Sequence, residues 1–480
     1  MRLFKHQEQI LKMGKTRNSL GLWWEMGTGK TLATIELAVG YKGNCCVVCP
    51  KIVIDTWAKE IQERNMRGYF KNGKSIDPIW YVADTSQKKR MEFFKHTKLS
   101  PHLSWDTHAF LIINYEALRN KELFDALFKA FKIGQLTTLV ADESHRIKNI
   151  KSKQSKAMIE LSSLAKHKLA LTGTPLTNSA TDIFAQAKFL DGGKTFGESE
   201  YAFKQKYCIP TYYIKNRPVA WSTNPKRLGE LNKKFNSLGL RVKKEDVLDL
   251  PNRTVKDIYV DLSLEQKKAY MELKNSAMTV FSENEFCACP NVLTELIRLQ
   301  QCVSGHLPRQ TFMQGQTVNT FVFEKTPRMT ALIELLNDLQ GHKTIVWTSF
   351  KEDIKQIGNA LLVADISFTS ADGSLSQAER GNNIDKFKQD KEVAVLIANR
   401  QACSEGINLA EASYSITYSR GFSFSQEKQA EARNYRSGSE QHKKITHFNL
   451  IAKGTIDEKI IKALKNKQNI AQAVVEDFKL

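Results

Sequence analysis

The chain has 480 residues and a formal net charge of +20, from 71 Lys+Arg against 51 Asp+Glu. That length predicts about two to four domains, and 41 % hydrophobic with 25 % charged residues is a globular composition. No apolar run approaches the roughly 20 residues that span a bilayer, and the N-terminus lacks the apolar core of a secretion signal. An intracellular protein is expected, cytoplasmic in a bacterial or viral setting and nuclear in a eukaryote. The basic excess attracts polyanions and points to nucleic acid as partner.

In chain order, "LFKHQEQILKMG" (3–14) precedes "WWEMGTGKTLATIELAVG" (23–40), a glycine turn opening a helical pattern. The runs "CCVVCP", "FLIINY", "TTLVADE" and "HKLALTGTP" then read as buried strands, separated by helical segments such as "DTWAKEIQERN" and "QSKAMIELSSLAK". Regular alternation of this kind predicts right-handed crossovers and a parallel sheet covered on both faces, with ligands beyond the strands' carboxyl ends. From about 191 to 320 the pattern changes. Residues 201–250 carry 11 Lys/Arg and 4 Asp/Glu, interleaved with Tyr201, Phe203, Tyr207, Tyr212, Tyr213 and Trp221. Helices are predicted at 263–283 and 291–303. Alternation resumes with "KTIVWTSF", "VAVLIA", "YSITYS" and "KITHFNLI", and the chain finishes in an amphipathic helical pattern. The fold class is therefore α/β, with lobes at 1–190 and 321–480 and a mainly helical, basic insertion and linker at 191–320. The aromatics of the insertion are expected to pack a small core rather than stack on bases.

The 8 cysteines are scattered. "CCVVC" lies in an apolar run where thiols behave as small hydrophobes. Cys287, Cys289, Cys302 and His306 could surround zinc, but a single residue separates the first pair, tighter than usual ligand spacing. No zinc is expected.

In "MGTGKT", Gly27, Thr28 and Gly29 offer backbone N–H groups to phosphate oxygens, and the following helix adds its positive end. Lys30 would reach the β/γ-phosphates and Thr31 would hold Mg²⁺. The match to the eight-residue phosphate-loop pattern is incomplete, because Trp24 stands at its first glycine. The strand "TTLVADESH" ends in Asp142 and Glu143, placed to hold Mg²⁺ through water and to orient an attacking water. Together these predict ATP hydrolysis with Mg²⁺.

"DESHRIKN" and "LTGTPLTN" resemble motifs II and III of superfamily-two helicases, and most closely those of Swi/Snf-type ATPases. "LFKHQEQIL" resembles that family's adenine-reading element, with Gln7 as the implied base contact. "VVCPKIVIDTWAKEI" and "INYEAL" are similar to its motifs Ia and Ib, and "LRVKKEDVLDLP" to the segment joining its two lobes. In the second half, "KTIVWTSFKEDI" resembles motif IV, "DGSLSQAERGNNIDKF" the serine-rich turn and helix that follow, and "EGINLAEA" motif V. "QAEARNYRSGS" resembles motif VI and "GTIDEKI" the closing segment. The resemblance runs through nearly the whole chain in family order and implies two RecA-like lobes.

It further implies that Gly406, Arg433 and Arg436 complete the ATP site. The two arginines, expected three apart on one helix face, are implied as arginine fingers on the γ-phosphate. Lys51, Asn114, Tyr115, Ser349, Phe350, Asn399 and Arg400 are implied to touch nucleic acid. The sequence departs from the family at Ala432, at Tyr435-Arg436-Ser437-Gly438-Ser439, at "GFSF" (421–424) and at "QACSEG" (401–406). Those departures bear on coupling of the second lobe to DNA. Ser144 in place of the frequent alanine leaves the metal and base positions unchanged.

The function expected is an ATP-dependent translocase on double-stranded DNA that displaces or remodels bound proteins. The alternatives are a strand-separating or annealing helicase and a non-hydrolysing DNA-binding protein. With so little chain outside the motifs, a minimal motor is expected, its targeting supplied by partner proteins.

Overall fold

The computed structural model describes residues 3–66, 80–83, 86–98, 108–173, 180–214, 217–283, 290–308, 320–403, 407–462 and 464. The chain divides into two compact units with the boundary between Leu248 and Asp249.

The first unit is built on seven strands: β1 (Ser19–Trp24), β2 (Asn44–Cys49), β3 (Trp80–Ala83), β4 (Ala109–Asn114), β5 (Leu136–Asp142) and β6 (His167–Leu171). After an antiparallel hairpin, β7 (Cys208–Ile214) and β8 (Arg217–Thr223), the seventh is β9 (Gly239–Val242). Their order is β3-β4-β2-β5-β6-β1-β9, with every pairing parallel. Parallel neighbours need crossovers. Helix α1 (Lys5–Gly14) precedes β1, and the helices between the strands are α2 (Lys30–Gly40), α3 (Ile54–Met66), α4 (Gln87–Lys98), α5 (Lys121–Lys132), α6 (Lys153–Leu164) and α7 (Thr181–Asp191).

Continuous apolar runs are what a sheet covered on both faces demands. Along β2, Cys46 and Val48 enter one core while Cys45, Val47 and Cys49 enter the other. The thiols of this strand are free and buried, and burial pushes Cys46 up to about 12. They pack as hydrophobes.

The second unit holds β10 (Asn252–Val260), the short hairpin β11 (His306–Pro308) and β12 (Thr320–Val322), then β13 (Thr344–Thr348), β14 (Phe368–Ala371), β15 (Val395–Asn399), β16 (Tyr414–Thr417) and β17 (Lys444–Ala452). Its main sheet is ordered β10-β17-β16-β13-β15-β14 and is likewise parallel. Two parallel-sheet lobes of the expected α/β class are thus present. The segment 191–320 contributes to both: it supplies β9 to the first sheet and β10 to the second, alongside the helices Leu264–Glu283 and Pro290–Ser304. Both strands lie at sheet edges, and β10 carries Arg253, Lys256 and Asp257 and is largely exposed. Edge strands lack the unbroken apolar run that marks a central strand, so their sequence does not announce them.

Within this segment Phe203 and Tyr207 are buried and pack with Phe184 and Phe196 in the first unit's core. Tyr201 and Tyr213 are exposed. The Tyr212 side chain lies outside the described residues. Among the described residues no helix is long and apolar enough to cross a membrane.

Candidate nucleotide site

The glycine turn joins β1 to α2 at the carboxyl edge of the first sheet, and α2 lacks the side-chain cap that α5 and α6 carry. Helix α5 is capped by Asn120, whose side chain accepts from Leu123 N at 2.9 Å, and α6 is capped by Ser152. Helix α2 has Gly29 at its N-cap, no side-chain cap and no acidic residue in its first turn. Its N-terminal N–H groups are left for an anion. Gly27 and Gly29 hold φ of 82° and 78°, the left-handed region where only glycine sits without strain.

The carbonyl groups of this turn are tied back. Lys30 Nζ donates to Trp24 O at 2.7 Å and Glu25 O at 3.2 Å, and Thr28 Oγ1 donates to Glu25 O at 2.8 Å. From α1, His6 Nε2 lies 2.9 Å from Thr28 O and Gln7 Nε2 donates to Gly29 O at 3.1 Å. Burial lowers the His6 pKa against the raising effect of that Thr28 bond, and because a carbonyl only accepts, Nε2–H is the donor. Gln7, implied as a base contact, is only 2 % exposed, and its Oε1 also accepts from Phe4 N at 2.9 Å. One N–H and one oxygen lone pair of that amide remain for a base. A Cβ on Gly29 would meet Gln7 Nε2 at 2.5 Å on a backbone of φ 78°. Gly29→Ala is therefore expected to cost about 1–3 kcal/mol in loop strain and to weaken nucleotide binding at least tenfold. A fluorescent ATP analogue titrated into both proteins measures it, and unchanged affinity would refute this reading of the turn.

Asp142 ends β5, two strands from β1, with β6 between them. The turn after β6 fills that gap. Gly173 comes so close that a Cβ would lie 3.2 Å from Trp24 O, and Thr172 Oγ1 is 3.3 Å from His145 Nδ1. The Asp142 carboxylate is buried, accepting at Oδ2 from Trp57 Nε1 (2.8 Å) and at Oδ1 from Glu143 N (2.9 Å). Burial and the Glu143 charge push Asp142 up to about 6, opposed by the Trp57 bond and by Lys30. A cation there reverses the balance. Glu143 has φ 49° and ψ 53°, a left-handed conformation in a non-glycine residue. Such strain persists only where surroundings enforce it. Here Tyr115 Oη pins Asp142 O at 2.8 Å, and Ser144 Oγ donates to Gln186 Oε1 on α7 at 2.8 Å. The Glu143 carboxylate lies 3.3 Å from His145 Nδ1.

The donor set fits Mg²⁺. That ion is usually held by one or two protein oxygens with phosphates and water. The Thr31 hydroxyl makes no hydrogen bond among the described residues, and Asp142 supplies one carboxylate. Among the described residues no three His, Cys, Asp or Glu cluster as a metal cage. Cys287 and Cys289 lie outside the described residues. Cys302 is buried, with its thiol pushed up to about 12 by desolvation, and His306 Nδ1 faces Asp353 at 3.4 Å.

In the second unit the motif VI arginines are not on a helix. The helix Phe424–Glu431 ends before them, with Ala432 as its C-cap, and a turn carries both. They converge nonetheless, Arg433 Nη1 and Arg436 Nη1 donating to Ile407 O at 2.9 and 3.2 Å. Arg433 is 4 % exposed and also bonds Gln429 O through Nε at 3.0 Å, whereas Arg436 is half-buried. Gly406 lies outside the described residues.

Of the residues implied to touch nucleic acid, Lys51 is exposed on the turn after β2. Ser349 and Phe350 are half-buried, Ser349 N donating to Ser419 Oγ at 2.7 Å. Asn114 is bonded to Arg90 Nη2 and Glu116 Oε2, both at 2.7 Å, and Asn399 Oδ1 accepts from Ala402 N at 3.3 Å. Two need correction. Tyr115 is fully buried in the first unit's core. Arg400 is 3 % exposed, its guanidinium held by Glu427 and by Thr417 Oγ1 at 2.8 Å. Both side chains are spent inside the fold. Sequence reasoning missed Trp57, His6 and Gln186. Each is an ordinary residue of a helical pattern, and only the packing brings it to the turn.

Residues 9–306 match the family described as SNF2-related domain, and residues 327–438 the helicase conserved C-terminal domain. Relatives include "CHD3-type chromatin-remodeling factor CHR7" of Arabidopsis thaliana, 27 % identical over 94 % of this chain and 35 % of its own length. An "Uncharacterized ATP-dependent helicase" of Mycoplasma pneumoniae is 26 % identical over 94 % of this chain and 40 % of its own. A solved structure, "Sulfolobus solfataricus SWI2/SNF2 ATPase core in complex with dsDNA", is similar with 23 % identity and a TM-score of 0.41, covering 99 % of this chain and 93 % of that one. The chain spans about a third of the length of the curated relatives it matches first. The chain belongs to the SNF2-related family of helicase-like ATPases.

Proposed function

We propose that this protein hydrolyses ATP with Mg²⁺ and uses the cycle to move along double-stranded DNA, displacing bound proteins without processive strand separation. One observation carries the reading: an uncapped helix N-terminus, Lys30, Thr31, Asp142 and Glu143 meet at the carboxyl edge of one sheet, with the turn's carbonyls tied back. Gly27, Thr28 and Gly29 present N–H groups to the phosphates, and Lys30 exchanges its carbonyl partners for the β/γ-oxygens. Thr31 and Asp142 would hold Mg²⁺, which would neutralise charge on the phosphates. Glu143 orients the attacking water, and Gln7 reads the base. Arg436 supplies the guanidinium that stabilises charge at the γ-phosphate, with Arg433 beside it and Gly406 completing the site.

The net charge of +20 supports a polyanion as track, and exposed Lys51 supports backbone contact at the turn after β2. Grip through phosphates carries no sequence information, as a motor passing every sequence requires. Other DNA-processing proteins would supply targeting.

Duplex DNA is expected to stimulate the ATPase at least tenfold over single-stranded DNA or RNA, and ATP to displace a third strand from a triplex with the duplex left paired. Preference for single strands or RNA would replace this reading with a strand-separating helicase. Absence of any ATPase would leave a DNA-binding protein.

A further inference from the structure

We propose that Trp57 and Tyr115 are positioning residues through which the loops after β2 and β4 report nucleic-acid contact to Asp142. The inference rests on the duplex-dependent ATPase proposed above and names the route by which the duplex would act.

The turn Lys51–Val53 follows β2 and runs into α3, which carries Trp57. Trp57 is 0 % exposed, and its single polar atom, Nε1, donates to Asp142 Oδ2 at 2.8 Å. Tyr115 opens the turn after β4, beside Asn114; it too is 0 % exposed, and its hydroxyl donates to Asp142 O at 2.8 Å. Each of two loops thus sends one fully buried ring to the same residue, one to its carboxylate and the other to its main chain. A buried ring has little room to move except with the backbone that carries it.

The two bonds do different work. The indole N–H and Glu143 N fix the rotation of the Asp142 carboxylate, at Oδ2 and Oδ1 respectively. The phenol fixes the plane of the peptide between Asp142 and Glu143, and that plane feeds directly into the left-handed conformation of Glu143. Displacing the turn after β2 rotates the metal carboxylate. Displacing the turn after β4 re-aims the glutamate. Packing alone does not require either polar atom: each ring sits among apolar neighbours, and phenylalanine would fill the Tyr115 position. The donors serve Asp142 rather than the apolar packing around the rings.

Coupling needs an element whose arrangement both sites bias; the route from each turn to Asp142 is contiguous, and the test reads both ends. In the full-length protein, without nucleotide or Mg²⁺, the assigned indole ¹H–¹⁵N resonance of Trp57 is expected to shift on addition of a 30-base-pair duplex. An unmoved resonance, with duplex bound, overturns the proposal, and this measurement depends on no variant folding. Tyr115→Phe keeps ring and burial while deleting the donor; Trp57→Phe deletes the donor and part of the indole volume, and calorimetric melting confirms that it folds. Each is expected to cut the duplex stimulation of kcat at least fivefold, with KM for ATP and duplex affinity within twofold of wild type. The double variant should lose less than the product of the two. Wild-type stimulation in both variants overturns the proposal and leaves the duplex-dependent ATPase standing. No duplex stimulation of the wild type overturns the ATPase reading, and the coupling with it.

Discussion

Arg436→Ala is expected to abolish turnover while leaving ATP bound: kcat falls by about 10³ or more, the range for a finger that meets charge only in the transition state. Binding of a non-hydrolysable analogue should change less than tenfold. The two motif VI arginines separate on this point. Arg433 is buried and spends Nε on Gln429 O and Nη1 on Ile407 O, so its removal unties the turn itself. Arg433→Ala should lower the melting temperature as well as the rate. Arg436 is half-buried and bonds the same carbonyl at 3.2 Å, and its loss should be read chiefly in kcat. Single-turnover hydrolysis beside calorimetric melting distinguishes the two variants. Retention of kcat within tenfold in Arg436→Ala would remove the guanidinium from the chemistry.

Lys30→Ala is the second. The ammonium now holds Trp24 O and Glu25 O, at 2.7 and 3.2 Å. It is therefore a positive charge already placed at the mouth of an uncapped helix, exchanging neutral carbonyl partners for phosphate. Deleting one such preorganised charge costs roughly 10²–10³ in rate, or about 3–4 kcal/mol, and nucleotide affinity should fall with it. The fold should survive, because Lys30 opens α2 and is half-buried rather than part of the apolar core. The comparison is of kcat/KM and of analogue binding, with circular dichroism to confirm an intact chain. ATPase activity surviving this change would show that the turn is not a phosphate loop.

Most central strands, β1 excepted, were legible because a sheet buried on both faces leaves an unbroken apolar run. β2, β4, β5 and β6 in the first unit and β13, β15, β16 and β17 in the second lie where those runs stand. The edge strands β3, β9 and β10 were not, since an edge needs only one pairing side and tolerates charge, as at Arg253 and Lys256. The motif VI helix was read one turn too long. Spacing of three is as compatible with a turn as with a helix face, and only the backbone shows that the helix ends at Glu431.

At the site, the sequence by itself determined which residues could do chemistry: a lysine after paired glycines, two acids at a strand tip, a hydroxyl one residue past the lysine. Those identities are local, and phosphate and metal chemistry restrict them to few side chains. Only the tertiary structure decided what holds them. That Trp57 donates to Asp142, that Tyr115 and Arg400 face inward, and that Arg433 and Arg436 share the carbonyl of Ile407 are facts of packing between segments far apart in the chain. A buried polar atom must find a partner, but which partner is set by three-dimensional neighbours that no spacing along the sequence encodes.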